Sequence, residues 1–242
     1  MIPRMTCATR PASPATDMLK KMVVSALLAG FVTGLIVAVL QTIMLEPLIL
    51  EAELYETGQL VHFADVTREM PDVEIEWDVM RIVLTFVASV ATYVAFALMA
   101  VAIFAYANTR GITISPRQGV LWGLAGYATL ILLPSIGLAP ELPGMYAAEL
   151  RPRQLWWAGT VIASGVGIGL LVFGKDWVKW GIGLFLIALP HIIGAPHPDA
   201  FGGVVPPELA AEFTGRSLGM SAINWGLLGM LVAYFWNAEN KA

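Results

Sequence analysis

Residues Met22–Leu45 read MVVSALLAGFVTGLIVAVLQTIML and hold no charged side chain. A helix of that length exceeds the roughly 30 Å of hydrocarbon in a bilayer. In lipid every backbone N–H and C=O must be paired within its own segment, so the run reads as a transmembrane helix and not as a strand. Working outward, similar runs follow at Val79–Ala107, Gly119–Leu138, Leu155–Phe173, Trp180–Ala195 and Leu218–Trp236. Composition agrees, with 57% hydrophobic and 13% charged residues, far from the balance of a soluble domain. The expected fold is an all-α integral membrane protein, a six-transmembrane-helix bundle. The fifth run is the shortest and meets the fourth through a turn holding Gly174, Lys175, Asp176 and Lys179, so the count rests on that turn. Residues 1–17, rich in Pro, Ala and Thr, are expected to be a disordered cytoplasmic tail, and residues 18–242 one polytopic domain. Cys7, the single cysteine, offers neither a disulfide nor a thiolate cluster.

Positive residues in short loops stay cytoplasmic during insertion. In a six-span arrangement Arg4, Arg10, Lys20, Lys21, Arg110, Arg117, Lys175, Lys179 and Lys241 fall on one side, which places both termini in the cytoplasm. The other side receives Glu46, Glu51, Glu53, Glu56, Asp65, Glu69, Asp72, Glu74, Glu76 and Asp78 against Arg68 alone, and also Arg151, Arg153 and Arg216. Trp77, Trp156, Trp157, Trp177, Trp180 and Trp236 stand near the expected interfaces, where indoles collect.

The outer loops echo one another. Leu133-Pro134 through Pro140-Glu141 runs parallel to Leu189-Pro190 through Pro196-His197, and Pro140-Glu141-Leu142 with Ala147-Ala148-Glu149 parallels Pro207-Glu208-Leu209 with Ala210-Ala211-Glu212. Two helix-loop-helix units in the same orientation are expected, with the first hairpin as a diverged third copy. Glu149 with Arg153 and Glu212 with Arg216 are spaced to share a helical face.

All the histidines, His62, His191 and His197, fall at the acidic side. Imidazole and carboxylate together suit Co²⁺, Ni²⁺ and Zn²⁺, whereas oxygen alone suits Mg²⁺ or Ca²⁺. The candidate metal ligands are His191 and His197 with Glu141 and Glu208, joined by Glu53, Glu56 and His62 nearer the mouth. Pro190 and Pro134 free the carbonyls of Leu186 and Leu130 inside their helices, and broken helices are where transporters hold ions. Pro140 and Pro196 read as simple helix ends. Pro47–Thr57 predicts a short helix opened by proline and closed by Gly58, with Glu53 and Glu56 on one face.

Gly169–Lys175 has the spacing of a phosphate-binding loop, but Asp176 stands where Ser or Thr is required and the glycines lie in a membrane helix, so no nucleotide site is expected. Gly30/Gly34, Gly119/Gly123 and Gly165/Gly169 have the spacing of close helix approach.

Pro140-Glu141-Leu142-Pro143-Gly144, Arg153-Gln154-Leu155-Trp156-Trp157, Pro190-His191-Ile192-Ile193-Gly194-Ala195-Pro196-His197-Pro198 and Pro207-Glu208-Leu209-Ala210-Ala211 resemble the CbtA family of probable cobalt transporter subunits. The first helix leading into Pro47-Leu48-Ile49-Leu50-Glu51-Ala52-Glu53 fits as well. The likeness runs over most of the chain from Met18 and leaves out the stretch from Asp65 to Glu76. It implies a protein of the bacterial inner membrane, not an enzyme, that takes up cobalt(II) for cobalamin synthesis beside CbtB, a small single-span partner. Cobalt would be cargo, with no organic cofactor and no nucleic acid. The ligand set proposed above comes from chemistry and position, not from the family. Two rival readings are a membrane redox subunit with His191 and His197 as haem or metal ligands, and a scaffold that stabilises a small membrane partner without transporting.

Overall fold

The computed structural model describes residues 14–62 and 78–239. Among these are α1 (Pro14–Met44), α2 (Glu46–Glu56), α3 (Val79–Thr109), α4 (Pro116–Gly137), α5 (Leu150–Phe173), α6 (Trp177–Ile193) and α7 (Pro207–Glu239). No strand occurs among the described residues, only an isolated antiparallel bridge between Met145 and Gly203. Helices α1, α3, α4, α5 and α7 are long and apolar enough to cross a membrane, and α6 is a shorter apolar helix of 17 residues. At about 25 Å, α6 lies at the lower limit of a span. Helix α1 begins at Pro14, four residues ahead of the expected boundary at Met18. The rest of the expected tail, with Arg4, Cys7 and Arg10, lies outside the described residues, as do Asp65, Arg68, Glu69, Asp72, Glu74, Glu76, Trp77 and Lys241.

Helix ends follow local chemistry. The Asp78 carboxylate accepts from the Met80 N–H at 2.8 Å and starts α3. Ser115 and Gln118 form a capping box at α4. Asp176 accepts from the Lys179 N–H at 3.0 Å to start α6, and its carboxylate pairs with the Lys179 ammonium at 2.8 Å. The Lys179 side chain, and after it the Lys179 backbone N–H, hold the Asp176 carboxyl below its ordinary value. That contribution is complete above the ordinary carboxylate value and is lost as pH falls through the lowered one. With the Trp180 indole donating to the Gly174 carbonyl at 3.1 Å, the turn makes α5 and α6 an antiparallel hairpin.

Helix α7 begins eleven residues ahead of the expected Leu218, because hydropathy reports only its apolar part. Glu212 and Arg216, inside this extension, form the expected ion pair. In α4 the Leu133 N–H reaches back to the Ala128 carbonyl, a π turn over Ala128–Leu132. This wider turn precedes Pro134, which lacks an N–H and whose ring crowds the preceding turn. The Ser135 hydroxyl donates to the Ile131 carbonyl at 2.7 Å, so Ile131, and not Leu130 singled out from sequence, gains a side-chain donor. Helix α6 runs through Pro190 and ends at Gly194, whose φ of +90° favours glycine.

The bundle is centred on α7. Helix α1 lies along α3, α4 lies along α7, and both α1 and α3 reach α7. Their shared core includes Ala29, Val37, Ala97, Val101, Leu228 and Val232. Without a hydrophobic drive between helices in lipid, close packing must hold them. Gly30 and Gly34 rest on the α3 backbone at Val94 and Val90, and Gly119 and Gly123 rest on the α7 backbone at Gly229 and Trp225. The third expected pair behaves differently: Gly165 meets only a Thr129 methyl at 3.4 Å, and nothing lies within 4 Å at Gly169. The close approach of α5 to α6 is made instead by Gly167 and Gly183.

A Cβ at Gly123 would fall on the Trp225 carbonyl oxygen, which belongs to backbone and cannot swing away. Gly123→Ala is therefore expected to destabilise the protein by about 1–3 kcal/mol, read as a lower thermal midpoint in detergent. Gly169→Ala should melt with the parent. Equal midpoints for Gly123→Ala and the parent would show that α4 and α7 do not touch backbone to backbone.

Candidate functional site

Helix order brings the end of α1, all of α2, the start of α3, the ends of α4 and α6 and the starts of α5 and α7 to one end of the bundle. This acidic end carries Glu46, Glu51, Glu53, Glu56, Asp78, Glu141, Glu149, Asp199, Glu208 and Glu212 with Arg81, Arg151, Arg153 and Arg216. The opposite end carries Lys20, Lys21, Arg110, Arg117, Lys175 and Lys179.

The acidic end has its own small core. Leu48, Ala52 and Tyr55 of α2 pack with Leu60, Leu142, Val205 and Leu209. Pro47 in the first turn and Gly58 at φ +76° bound α2 as expected from sequence. Burial, and then the Glu51 carboxylate, push the Tyr55 phenol above its ordinary value. The two repeated loops meet here: Tyr146 N–H donates to the Gly202 carbonyl at 3.0 Å, and Val204 N–H to the Gly144 carbonyl at 3.2 Å. Gly144 has φ +79°, and a Cβ there would press on Val204 at 2.8 Å and touch the Glu56 Cβ at 3.4 Å. Two further bonds cross between the loops' helices. The Trp156 indole of α5 donates to the Pro190 carbonyl at 3.1 Å, and the Thr214 hydroxyl of α7 lies between the Pro140 carbonyl at 3.0 Å and the Ala210 carbonyl of its own helix at 2.9 Å, sharing its one proton between them.

The sequence candidates are spread around this cap. His191 packs edge-on against Trp156 with ring centroids 5.8 Å apart, and its Nε2 is buried with no partner. His197 is exposed and stacks near Phe201 at 5.5 Å. Glu141 accepts from Arg153 at 2.7 Å, and Glu53 accepts from Arg81 at 2.8 and 3.0 Å. Glu56, His62 and Glu208 are exposed. Among the described residues no three His, Cys, Asp or Glu side chains come together so as to hold a metal ion. The expected pair of Glu149 with Arg153 is replaced by that of Glu141 with Arg153. Glu149 is the N-cap of α5, with φ −53° and ψ 140°, so it stands outside the helical face that the four-residue spacing assumes. Arg153 and Glu141, like Arg81 and Glu53, keep roughly a quarter to a third of their side-chain surface in solvent, where such pairs orient side chains and add roughly 0–1 kcal/mol.

A second polar feature lies between α1, α3 and α7, a cavity of about 830 Å³. Its polar lining runs from Asp78 and Arg81 past Thr85, Ser89 and Ser221 to Tyr93 and Asn224, and it is open along its side, where Leu84, Ala88 and Thr92 are exposed. Tyr93 lies roughly 18 Å along α3 from Arg81, at mid-helix. Asn224 is 1% exposed and lies beside Tyr93, and its Oδ1 has no partner. At its acidic end Arg81 pairs with Glu53, with Asp78 and Glu46 near enough to act on it, and the Glu46 Oε2 is itself buried and unpartnered. The sequence candidates included none of the residues that line this cavity. The signal was in their spacing: Arg81, Thr85 and Ser89 recur every four residues on α3, and Ser217, Ser221 and Asn224 share one face of α7.

The family model described as the probable cobalt transporter subunit, CbtA, matches residues 19–237. No curated protein and no solved structure matches the chain. The matched segment takes in every helix above apart from the first residues of α1 and the last two of α7, and the chain belongs to the CbtA family of probable cobalt transporter subunits.

Proposed function

We propose that this chain is the membrane-spanning subunit of a Co²⁺ uptake system in the bacterial inner membrane. It crosses six times, with both termini cytoplasmic and the acidic end facing out. The observation that carries this reading is the bias of charge along the helix order in a chain of this family: ten described carboxylates, with four arginines, at one end, against three at the other, where every described lysine stands. Basic residues mark the cytoplasmic side, and a negative field at the outer end raises the local concentration of cations.

The pairing of helices supports two related units, α4 with α5 and α6 with α7. The first helix of each packs on the second helix of the other, their loops bridge in antiparallel fashion, and each unit donates a side-chain hydrogen bond to a proline carbonyl of the other. Two copies facing one another across a pseudo-two-fold axis along the membrane normal would make that pattern.

In this reading His191 and His197, with Glu141 and Glu208, receive the ion, and Glu53, Glu56 and His62 lie on its approach. His191 offers a buried Nε2 without a competing partner. Glu141 and Glu53 offer carboxylates held by Arg153 and Arg81, so an arriving cation exchanges with a guanidinium instead of filling a void. A small single-span partner resembling CbtB completes the system. No enzymatic step is required.

In cells matched for expression, His191→Ala and His197→Ala should each lower accumulation of labelled cobalt by at least about tenfold, the scale on which metal affinity responds to losing a supporting group. Accumulation at the parental level by both variants removes these histidines from the path. Orientation has its own measurement: with Cys7 replaced by serine, His62→Cys and His197→Cys should both react with a membrane-impermeant thiol reagent added outside intact cells. Labelling from opposite faces would overturn the topology.

A further inference from the structure

The cavity between α1, α3 and α7 has no role in the ligand set drawn from the histidines, and its chemistry differs from theirs. Below Arg81 its polar lining is neutral: hydroxyls of Thr85, Ser89, Ser217 and Ser221, the phenol of Tyr93 and the amide of Asn224. Polar side chains at this depth are costly when they face lipid and persist where they meet water, a ligand or one another. Asn224 is the deepest of these groups, beside Tyr93, and its carbonyl oxygen stays buried with no partner on a residue 1% exposed that lines the space. An acceptor left open in such a place is costly, and an occupant able to donate a hydrogen bond would relieve it.

We propose that this cavity is the intramembrane station of the transported cation, which it holds with its water shell on. Divalent-ion waters are strong hydrogen-bond donors, and Asn224 Oδ1 with the Ser221 and Thr85 hydroxyls supplies acceptors. A volume of about 830 Å³ has space for on the order of 25 waters, far more than one ion and its shell need. At its acidic end Asp78 and Arg81 line the space, Glu53 pairs with the Arg81 guanidinium, and Glu46 adds a third carboxyl nearby, a net negative field that favours cations. The inference rests on the uptake reading above and adds to it a place in the bilayer, separate from the histidines, with neutral oxygen as the chemistry.

Two measurements test it. In chain carrying Cys7→Ser, Ser221→Cys should react with a charged, membrane-impermeant thiol reagent in vesicles, from the face bearing the acidic end, and CoCl₂ should slow the reaction. Ile223→Cys, on the exposed side of α7, should stay unreactive. Asn224→Leu should lower cobalt uptake and weaken CoCl₂ protection by about tenfold, the equivalent of one hydrogen bond to the ion's shell. Where that variant fails to accumulate, Thr85→Val serves in its place.

A parent chain that takes up cobalt while Ser221→Cys is unreactive, or reacts at the same rate with and without CoCl₂, overturns the station and leaves the uptake reading intact. Parental uptake by Asn224→Leu or Thr85→Val does the same. A parent chain that takes up no cobalt beside its partner overturns the uptake reading, and the station with it, whatever the labelling shows.

Discussion

In hydrocarbon there is no water for a helix to escape by packing on its neighbour, so the helices of this protein are held by contact itself. The tightest contact is between α4 and α7, where Gly119, Gly123 and Gly229 let one backbone rest on the other. Gly30 and Gly34 do the same between α1 and α3. These approaches determine where α3 stands relative to α7, and so where Ser89 and Tyr93 stand relative to Ser221 and Asn224. A methyl group at the wrong glycine would move the polar stripes apart without touching either.

The acidic end is built on a different principle. There the chain leaves the regular helix, and backbone groups that α4 and α6 release must be claimed by something else. The Trp156 indole joins the Gly194 N–H on the Pro190 carbonyl, Thr214 reaches the carbonyl of Pro140, and the Gly202 and Gly144 carbonyls accept from Tyr146 and Val204 across the loops. The apolar side of α2 closes over them through Leu48, Ala52 and Tyr55. His191 is held in place by this arrangement, since its ring packs on the indole that binds the carbonyl of its own neighbour, Pro190.

Membrane crossing was legible because the length of an apolar run states it directly, and the short α2 was legible because Pro47 and Gly58 mark its ends through local backbone chemistry. Local signals failed where a neighbour in space decided the outcome. Four-residue spacing read Glu149 and Arg153 as a pair, but Glu149 became a cap and Arg153 turned to Glu141. Pro134 announced a disturbed helix, while the form of the disturbance, a π turn one step earlier, depends on how Ser135 and Ile131 repair it. Arg81 and Asn224 each look like one tolerated polar residue within an apolar run. Their stripes can be counted in sequence, yet that they line one space follows only from α3 and α7 both packing on α1, a nonlocal fact.

Under the uptake proposal the two polar regions would divide the work of moving a divalent ion in a way that the balance of binding and release demands. On the proposed reading the imidazoles and carboxylates at the cap would meet the ion first, a ligand type that binds a borderline metal directly in place of its water and suits capture from dilute solution. The same ligands at the bilayer centre would make a site too strong to leave, because attraction between fixed charges grows as the dielectric falls. Passage needs binding that is favourable enough to occupy and weak enough to vacate. Neutral oxygens that touch the ion only through its waters meet that requirement. That requirement also fits the kind of polar group found among the apolar lining of the deep cavity, serine, threonine, tyrosine and asparagine, with Asp78 and Arg81 at its acidic end.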